Sequence, residues 1–230
     1  MSYFITGTDT GVGKTLVSCA LLYAFAAQGL RVVGMKPVAC GCDAHGDNED
    51  VQMLRAASNV VVSRDQINPY CFSPPIAPHI AACAIGARIE FSRILAAYRE
   101  LLARADRVVV EGVGGFRVPL NETQDSAELA RQFHLPVILV AGMRLGCLSH
   151  ALLTADAIAA AGLTLAGWVA NVLDADMPAL RENIAALEQR LPAPLLGVIE
   201  YQATPDARAA ALKLNIALLH TVREKENENA

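Results

Sequence analysis

The chain lacks any excess of positive charge: 23 Asp and Glu outnumber 19 Lys and Arg, for a net charge of −4. That balance removes the broad basic surface on which nucleic-acid binding depends, so any anion must be gripped locally. Paired cysteine spacing is missing as well. Cys19, Cys40, Cys42, Cys71, Cys83 and Cys147 contain no Cys-x-x-Cys, so neither a zinc site nor a disulfide framework is expected, and all six read as free thiols. Met1 to Thr6 offers no positive segment and no sustained apolar run, which argues against a secretory signal and for the cytoplasm. The uncharged stretch from Ala157 to Leu173 could suggest a membrane span. Gly162 divides it into a helix end and a strand, so it reads as buried core. Neither a fixed-period repeat nor a low-complexity tract appears. With 230 residues, 53% of them apolar, the chain is long enough to bury a full core as one domain.

What is present is a loop. Gly7-Thr8-Asp9-Thr10-Gly11-Val12-Gly13-Lys14-Thr15 follows the apolar run Tyr3-Phe4-Ile5 and opens an apolar-periodic segment. Strand, glycine-rich loop and helix in that order make a phosphate loop. Its glycines let backbone N–H groups curl inward on a phosphate, Lys14 adds charge toward the terminal phosphates of a nucleotide, and Thr15 offers a hydroxyl to Mg²⁺. The glycine usually found six residues before the lysine is replaced by Thr8, with Gly7 one position further out. A glycine turn that merely caps a helix would not call for Gly-Lys-Thr at the helix start.

The remainder alternates strand and helix patterns. A helix is expected from about Lys14 to Gln28, stopped by Gly29, then a strand through Val32 to Met35 that ends before Lys36-Pro37. A short helix over Asn48 to Ala57 precedes a loop, Asn68 to His79, that holds four prolines. Further helices are expected near Glu90 to Arg104, Ala127 to Phe133, Ser149 to Ala161 and Pro178 to Gln189. Between them lie strands at Val108 to Val110, Pro136 to Val140, Leu165 to Val172 and Leu195 to Ile199. The expectation is a single α/β domain of P-loop NTPase type over residues 1–222, its mostly parallel sheet covered by helices on both faces. Residues 223–230 read as a frayed polar tail.

Ligands of such sheets sit beyond the carboxyl ends of the strands. That edge collects Lys14 and Thr15 after the first strand, Lys36 after the second, Glu111 after Val108 to Val110, Leu145 to His150, and Asn171. Glu111 is either a helix-cap acid or a metal ligand; the glycines around it let a nucleotide or metal approach the backbone. Asp50 opens a helix, where a carboxylate is as readily structural as catalytic. Lys36 closes a buried strand, and two lysines with Mg²⁺ and a phosphate loop suit phosphoryl transfer to an anionic acceptor.

These residues resemble the dethiobiotin synthetase family over nearly the whole chain. The carriers are Gly7 to Thr10 with Val12 to Thr15, Lys36-Pro37-Val38-Ala39, Asn68-Pro69-Tyr70, Pro78-His79, Val110-Glu111-Gly112 with Gly114-Gly115, Leu145-Gly146-Cys147, and Gly167 to Asn171. The resemblance implies an ATP-dependent cyclo-ligase that joins 7,8-diaminononanoate and CO₂ through a carbamate and a mixed phosphoric anhydride. It implies Lys14, Lys36 and Thr10 in catalytic positions and Thr15, Asp50 and Glu111 around Mg²⁺. ATP would lie along Gly11, Val12, Gly13, Lys14, Thr15 and Leu16, along Glu111, Gly112, Val113 and Gly114, and against Asp50, with Asn171 at the adenine. Cys40 would meet substrate, and Gly146, Cys147, Leu148 and Ser149 would hold its chain carboxylate from the other subunit of a homodimer. Three positions depart from the family pattern: Cys40 replaces a common serine, Ser149 an asparagine, and Asn183 a tyrosine.

Two other functions share a sheet of this kind. A partitioning or regulatory ATPase carries an extra lysine early in the loop, where this chain has Asp9, and tends to need a basic or amphipathic end that Glu224 to Asn229 does not offer. A synthetase of the amidotransferase type needs a glutaminase domain for which 230 residues leave no room.

Overall fold

Phe4 and Ile5 are neighbours in sequence but point into different cores, because successive residues of a strand face opposite sides of a sheet. The computed structural model describes residues 1–219. In chain order its elements begin with β1 (Tyr3–Gly7), α1 (Lys14–Ala27), β2 (Val32–Met35), β3 (Val38–Cys40), α2 (Glu49–Ala57), α3 (Arg64–Ile67), β4 (Tyr70–Phe72), α4 (Pro78–Ala84) and α5 (Phe91–Leu102). They continue with β5 (Arg107–Glu111), α6 (Ser126–Phe133), β6 (Val137–Met143), α7 (Cys147–Ala160), β7 (Leu165–Val172), α8 (Leu180–Glu188), β8 (Leu195–Ile199) and α9 (Ala207–Ala211). Six strands form one parallel sheet in the order β2-β5-β1-β6-β7-β8. Phe4, Val108, Val110 and Leu139 pack on one face with α5, α6 and α7; Tyr3, Ile5, Val109 and Ile138 pack on the other with α1 and α9. The α/β class, the parallel sheet and the two helical layers are as the sequence predicts.

Ala157 to Leu173 resolves into the end of α7, a turn at Gly162 and the buried β7. No helix among the described residues is long and apolar enough to cross a membrane. The tail expected at 223–230 lies outside the described residues.

Two expectations are corrected. The segment Asn68 to His79, expected as a loop, contains β4 and the first two residues of α4, where Pro78 loses nothing by having no N–H. β4 pairs in parallel with β3, Ala39 opposite Cys71. That pairing sets Cys42 beside Cys71 with Cα atoms 6.2 Å apart and joins them in a disulfide. Cys19, Cys40, Cys83 and Cys147 are free, so the expectation of six thiols fails. The bridge spans 29 positions of sequence, and no short spacing reveals it because strand pairing brings the two together.

Candidate active site

The phosphate loop reaches α1 through Gly13, whose left-handed backbone (φ 88°, ψ 28°) suits a residue without a Cβ. A Cβ there would also strike the side-chain amide of Asn171. That amide donates to the Val12 carbonyl at 2.9 Å, so β7 props the loop from behind. No side chain caps the start of α1, which leaves the orphan N–H groups of its first turn to an anion. Lys14 Nζ donates to the Asp9 carbonyl at 2.9 Å. Burial, with the nearby charge of Lys36, lowers the Lys14 pKa from 10.5 to about 8, against the opposing pull of Glu111, Asp50 and Asp9.

Opposite the loop, β2 and β5 bring a lysine and a carboxylate into step. Lys36 Nζ donates to Glu111 Oε1 at 2.5 Å and to Asp50 Oδ2 at 2.8 Å. Burial alone would lower the Lys36 pKa, but Glu111 and Asp50 together hold it above the usual value. Burial would likewise raise Asp50, and Lys36 and Thr15 outweigh it to keep that carboxyl below its ordinary range. Asn48 caps α2 by accepting the Val51 N–H, which fixes the first turn that carries Asp50.

Thr15 closes the cluster. Its Oγ1 lies 2.7 Å from Asp50 Oδ1 and 2.8 Å from Glu111 Oε1, yet a hydroxyl has a single hydrogen to donate. Glu111 is fully buried and its Oε2 has no hydrogen-bond partner. The cluster thus presents hard oxygens that the donors at hand do not fully satisfy, a set that fits Mg²⁺. Among the described residues no group of three or more His, Cys, Asp or Glu could hold a metal by itself. Two carboxylates and a hydroxyl would share the ion with phosphate oxygens.

The expected residues sort into three places. Thr10, Gly11, Gly13, Lys14, Thr15 and Leu16 line one side of a cleft of about 780 Å³. Lys36, Cys40, Asp50, Glu111, Val113 and Gly114 line it too. Burial raises the Cys40 thiol pKa, although Lys36 opposes this. Val12, Gly112 and Asn171 do not border the cleft; Val12 and Asn171 support the loop, and the Gly112 carbonyl accepts from Lys36 Nζ at 3.3 Å. Gly146, Cys147, Leu148 and Ser149 also lie outside it. Sequence reasoning missed the wall made by Pro75, Ile76 and Pro78, which the turn before α4 and the first residue of α4 supply, and the ion pair between Asp9 and Arg144.

A parallel sheet with a phosphate loop at the carboxyl end of its central strand, facing two lysines and two carboxylates, defines a P-loop nucleotide-using enzyme. A family model described as an AAA domain matches residues 1–208. Curated relatives named ATP-dependent dethiobiotin synthetase BioD come from Nitrosospira multiformis, 58% identical over 94% of this chain and 95% of that protein, and from Aromatoleum aromaticum, 54% identical over 94% and 97%. The chain belongs to the ATP-dependent dethiobiotin synthetase family. The cell division protein MinD of Aquifex aeolicus shares the fold alone, with a TM-score of 0.56 at 12% identity over 97% of both chains.

Proposed function

We propose that this chain makes dethiobiotin from 7,8-diaminononanoate, CO₂ and ATP, and that the cleft between Lys14 and Lys36 is where it does so. One observation carries the assignment of the site: two buried lysines, two carboxylates and the Thr15 hydroxyl meet at the open end of the phosphate loop. One amine of the substrate adds to CO₂ and loses a proton, forming a carbamate. A carbamate oxygen then attacks the γ-phosphorus, and ADP leaves. The second amine attacks the carbonyl carbon, phosphate departs, and the ureido ring closes.

Each residue has a physical part in this sequence. Lys36 lies where its ammonium can stabilise the carbamate oxyanion, and Lys14 where it can move from the Asp9 carbonyl to the terminal phosphates. The N–H groups from Gly11 to Leu16 cradle the phosphates, with Val113 and Gly114 on the facing wall and Thr10 toward the substrate. Thr15, Asp50 and Glu111 would hold Mg²⁺, which when bound neutralises phosphate charge. Cys40 borders the substrate end.

A shared homodimer site completes the reading. The N–H of Cys147 donates to the Arg144 carbonyl and that of His150 to Gly146, while among the described residues no acceptor receives the N–H groups of Leu148 and Ser149. Those two N–H groups suit a carboxylate, and their place outside their own chain's cleft suits a substrate bound by the neighbouring copy. Asn171 gives its Nδ2 to the loop and keeps Oδ1 for adenine. The reading places the reaction in the cytoplasm, with neither nucleic acid nor membrane as a partner.

The test is phosphate release from ATP with and without diaminononanoate and bicarbonate, with dethiobiotin followed by mass spectrometry. Strong dependence on both substrates and formation of dethiobiotin are expected. Hydrolysis indifferent to them would turn the reading toward a switch ATPase.

A further inference from the structure

Asp9 is the only carboxylate in the phosphate loop of residues 7–15, and it borders the cleft. Its oxygens are engaged from two sides. The Thr10 N–H donates to Oδ1 at 2.7 Å, and Arg144 Nη2 donates to Oδ2 at 2.5 Å. Its main-chain carbonyl meanwhile receives Lys14 Nζ. Arg144 follows β6 and does not border the cleft; its own carbonyl accepts the Cys147 N–H at 3.0 Å, at the start of α7. The guanidinium therefore reaches the loop from outside the space a triphosphate would fill.

A carboxylate at that position works against nucleotide binding in two ways. It repels phosphate, and it can compete for the Lys14 ammonium. Asp9 is not relieved by protonation, because the Thr10 N–H and the Arg144 guanidinium hold its pKa below the ordinary value, with a smaller contribution from His150. Its charge is permanent and needs a permanent partner.

We propose that Arg144 is a positioning residue for the nucleotide: it neutralises Asp9 and keeps that carboxylate turned away from Lys14 and from the phosphates. The proposal rests on the loop being the ATP site, and is independent of which acceptor takes the phosphoryl group.

A mutant cycle in the full chain tests it, with binding of a non-hydrolysable ATP analogue and Mg²⁺ measured by calorimetry at low and high salt. Arg144→Met is expected to weaken binding by about three- to tenfold, more at low ionic strength, while Arg144→Lys retains most of the affinity. Adding Asp9→Asn to Arg144→Met should restore binding to the level of Asp9→Asn alone. A merely structural tie predicts the opposite, because the contact stays broken in the double variant, which would then bind as weakly as Arg144→Met. That result, or unchanged affinity in Arg144→Met, overturns the proposal. Failure of the unaltered chain to bind the analogue would overturn the ATP-site reading, and the proposal with it.

Discussion

Lys36 and Glu111 meet because their strands are in register. Met35 of β2 lies opposite Val110 of β5, so the residue that follows each comes level with the other at the carboxyl edge. The resulting ion pair is almost dry, with side chains 5% and 0% exposed. In such a place a lone charge is far costlier than the pair.

Replacing Lys36 with Met should therefore damage two properties. Turnover should fall roughly a hundredfold or more through loss of an electrostatic stabiliser. Thermal stability should fall as well, because Glu111 and Asp50 lose their counter-charge. Steady-state kinetics and a melting curve check this; a near-normal rate would remove Lys36 from the chemistry.

Thr15→Val and Glu111→Gln should each raise the Mg²⁺ concentration needed for half-maximal activity, since each removes or weakens one metal-directed oxygen. A Mg²⁺ titration unchanged in both variants would take these residues out of the metal set.

Lys14 gives the free protein a proton-linked signature. Phosphate favours its charged form, so near pH 8 nucleotide binding should take up part of a proton. Calorimetry in buffers of different ionisation enthalpy reads that uptake, and kcat/KM for ATP should decline as pH rises through about 8. Between about 8 and the ordinary 10.5 the folded chain holds fewer protons on Lys14 than the unfolded chain, so this group's contribution to stability rises with pH there. No uptake at pH 8 would contradict the burial of its ammonium.

Ser149→Asp should place a competing negative charge at the start of α7, raising the KM for diaminononanoate while ATP binding stays nearly constant. Specific activity should also fall on dilution as dimers part. A fully active monomer in light scattering would show that the carboxylate is held elsewhere.

The Cys42–Cys71 bridge predicts that, unfolded without reductant, the chain exposes four titratable thiols of its six. Cys42→Ser should lower stability by about 3 to 4 kcal/mol relative to the oxidised protein, the effect of opening a loop of this length. Six reactive thiols under the same conditions would show that the bridge does not form.

The fold was legible because parallel strands buried on both faces leave uninterrupted apolar runs, such as Val108 to Val110, and because Gly29 and Gly162 mark turns plainly. The phosphate loop, Lys36 and Glu111 were legible for the same reason, each standing just past such a run. Asp50 was not: a carboxylate in the first turn of a helix looks the same whether it serves the helix or a neighbour 35 positions away such as Thr15. β3, β4 and the bridge between them were hidden because three-residue strands carry almost no periodicity and the prolines around them read as loop. The Asp9–Arg144 pair joins residues 135 positions apart, and no local pattern announces it.

The place of β1 has a consequence for how the chain acquires its structure during synthesis. It precedes both of its neighbours in the chain, β5, from Arg107, and β6, which ends at Met143. The loop at the phosphate site thus hangs from a strand with no hydrogen-bonded neighbour until the chain has been made through Glu111, and that strand is flanked on both sides only once it has been made through Met143. Nucleotide can assist folding only late, and the slow step should be the long-range closure of this central strand.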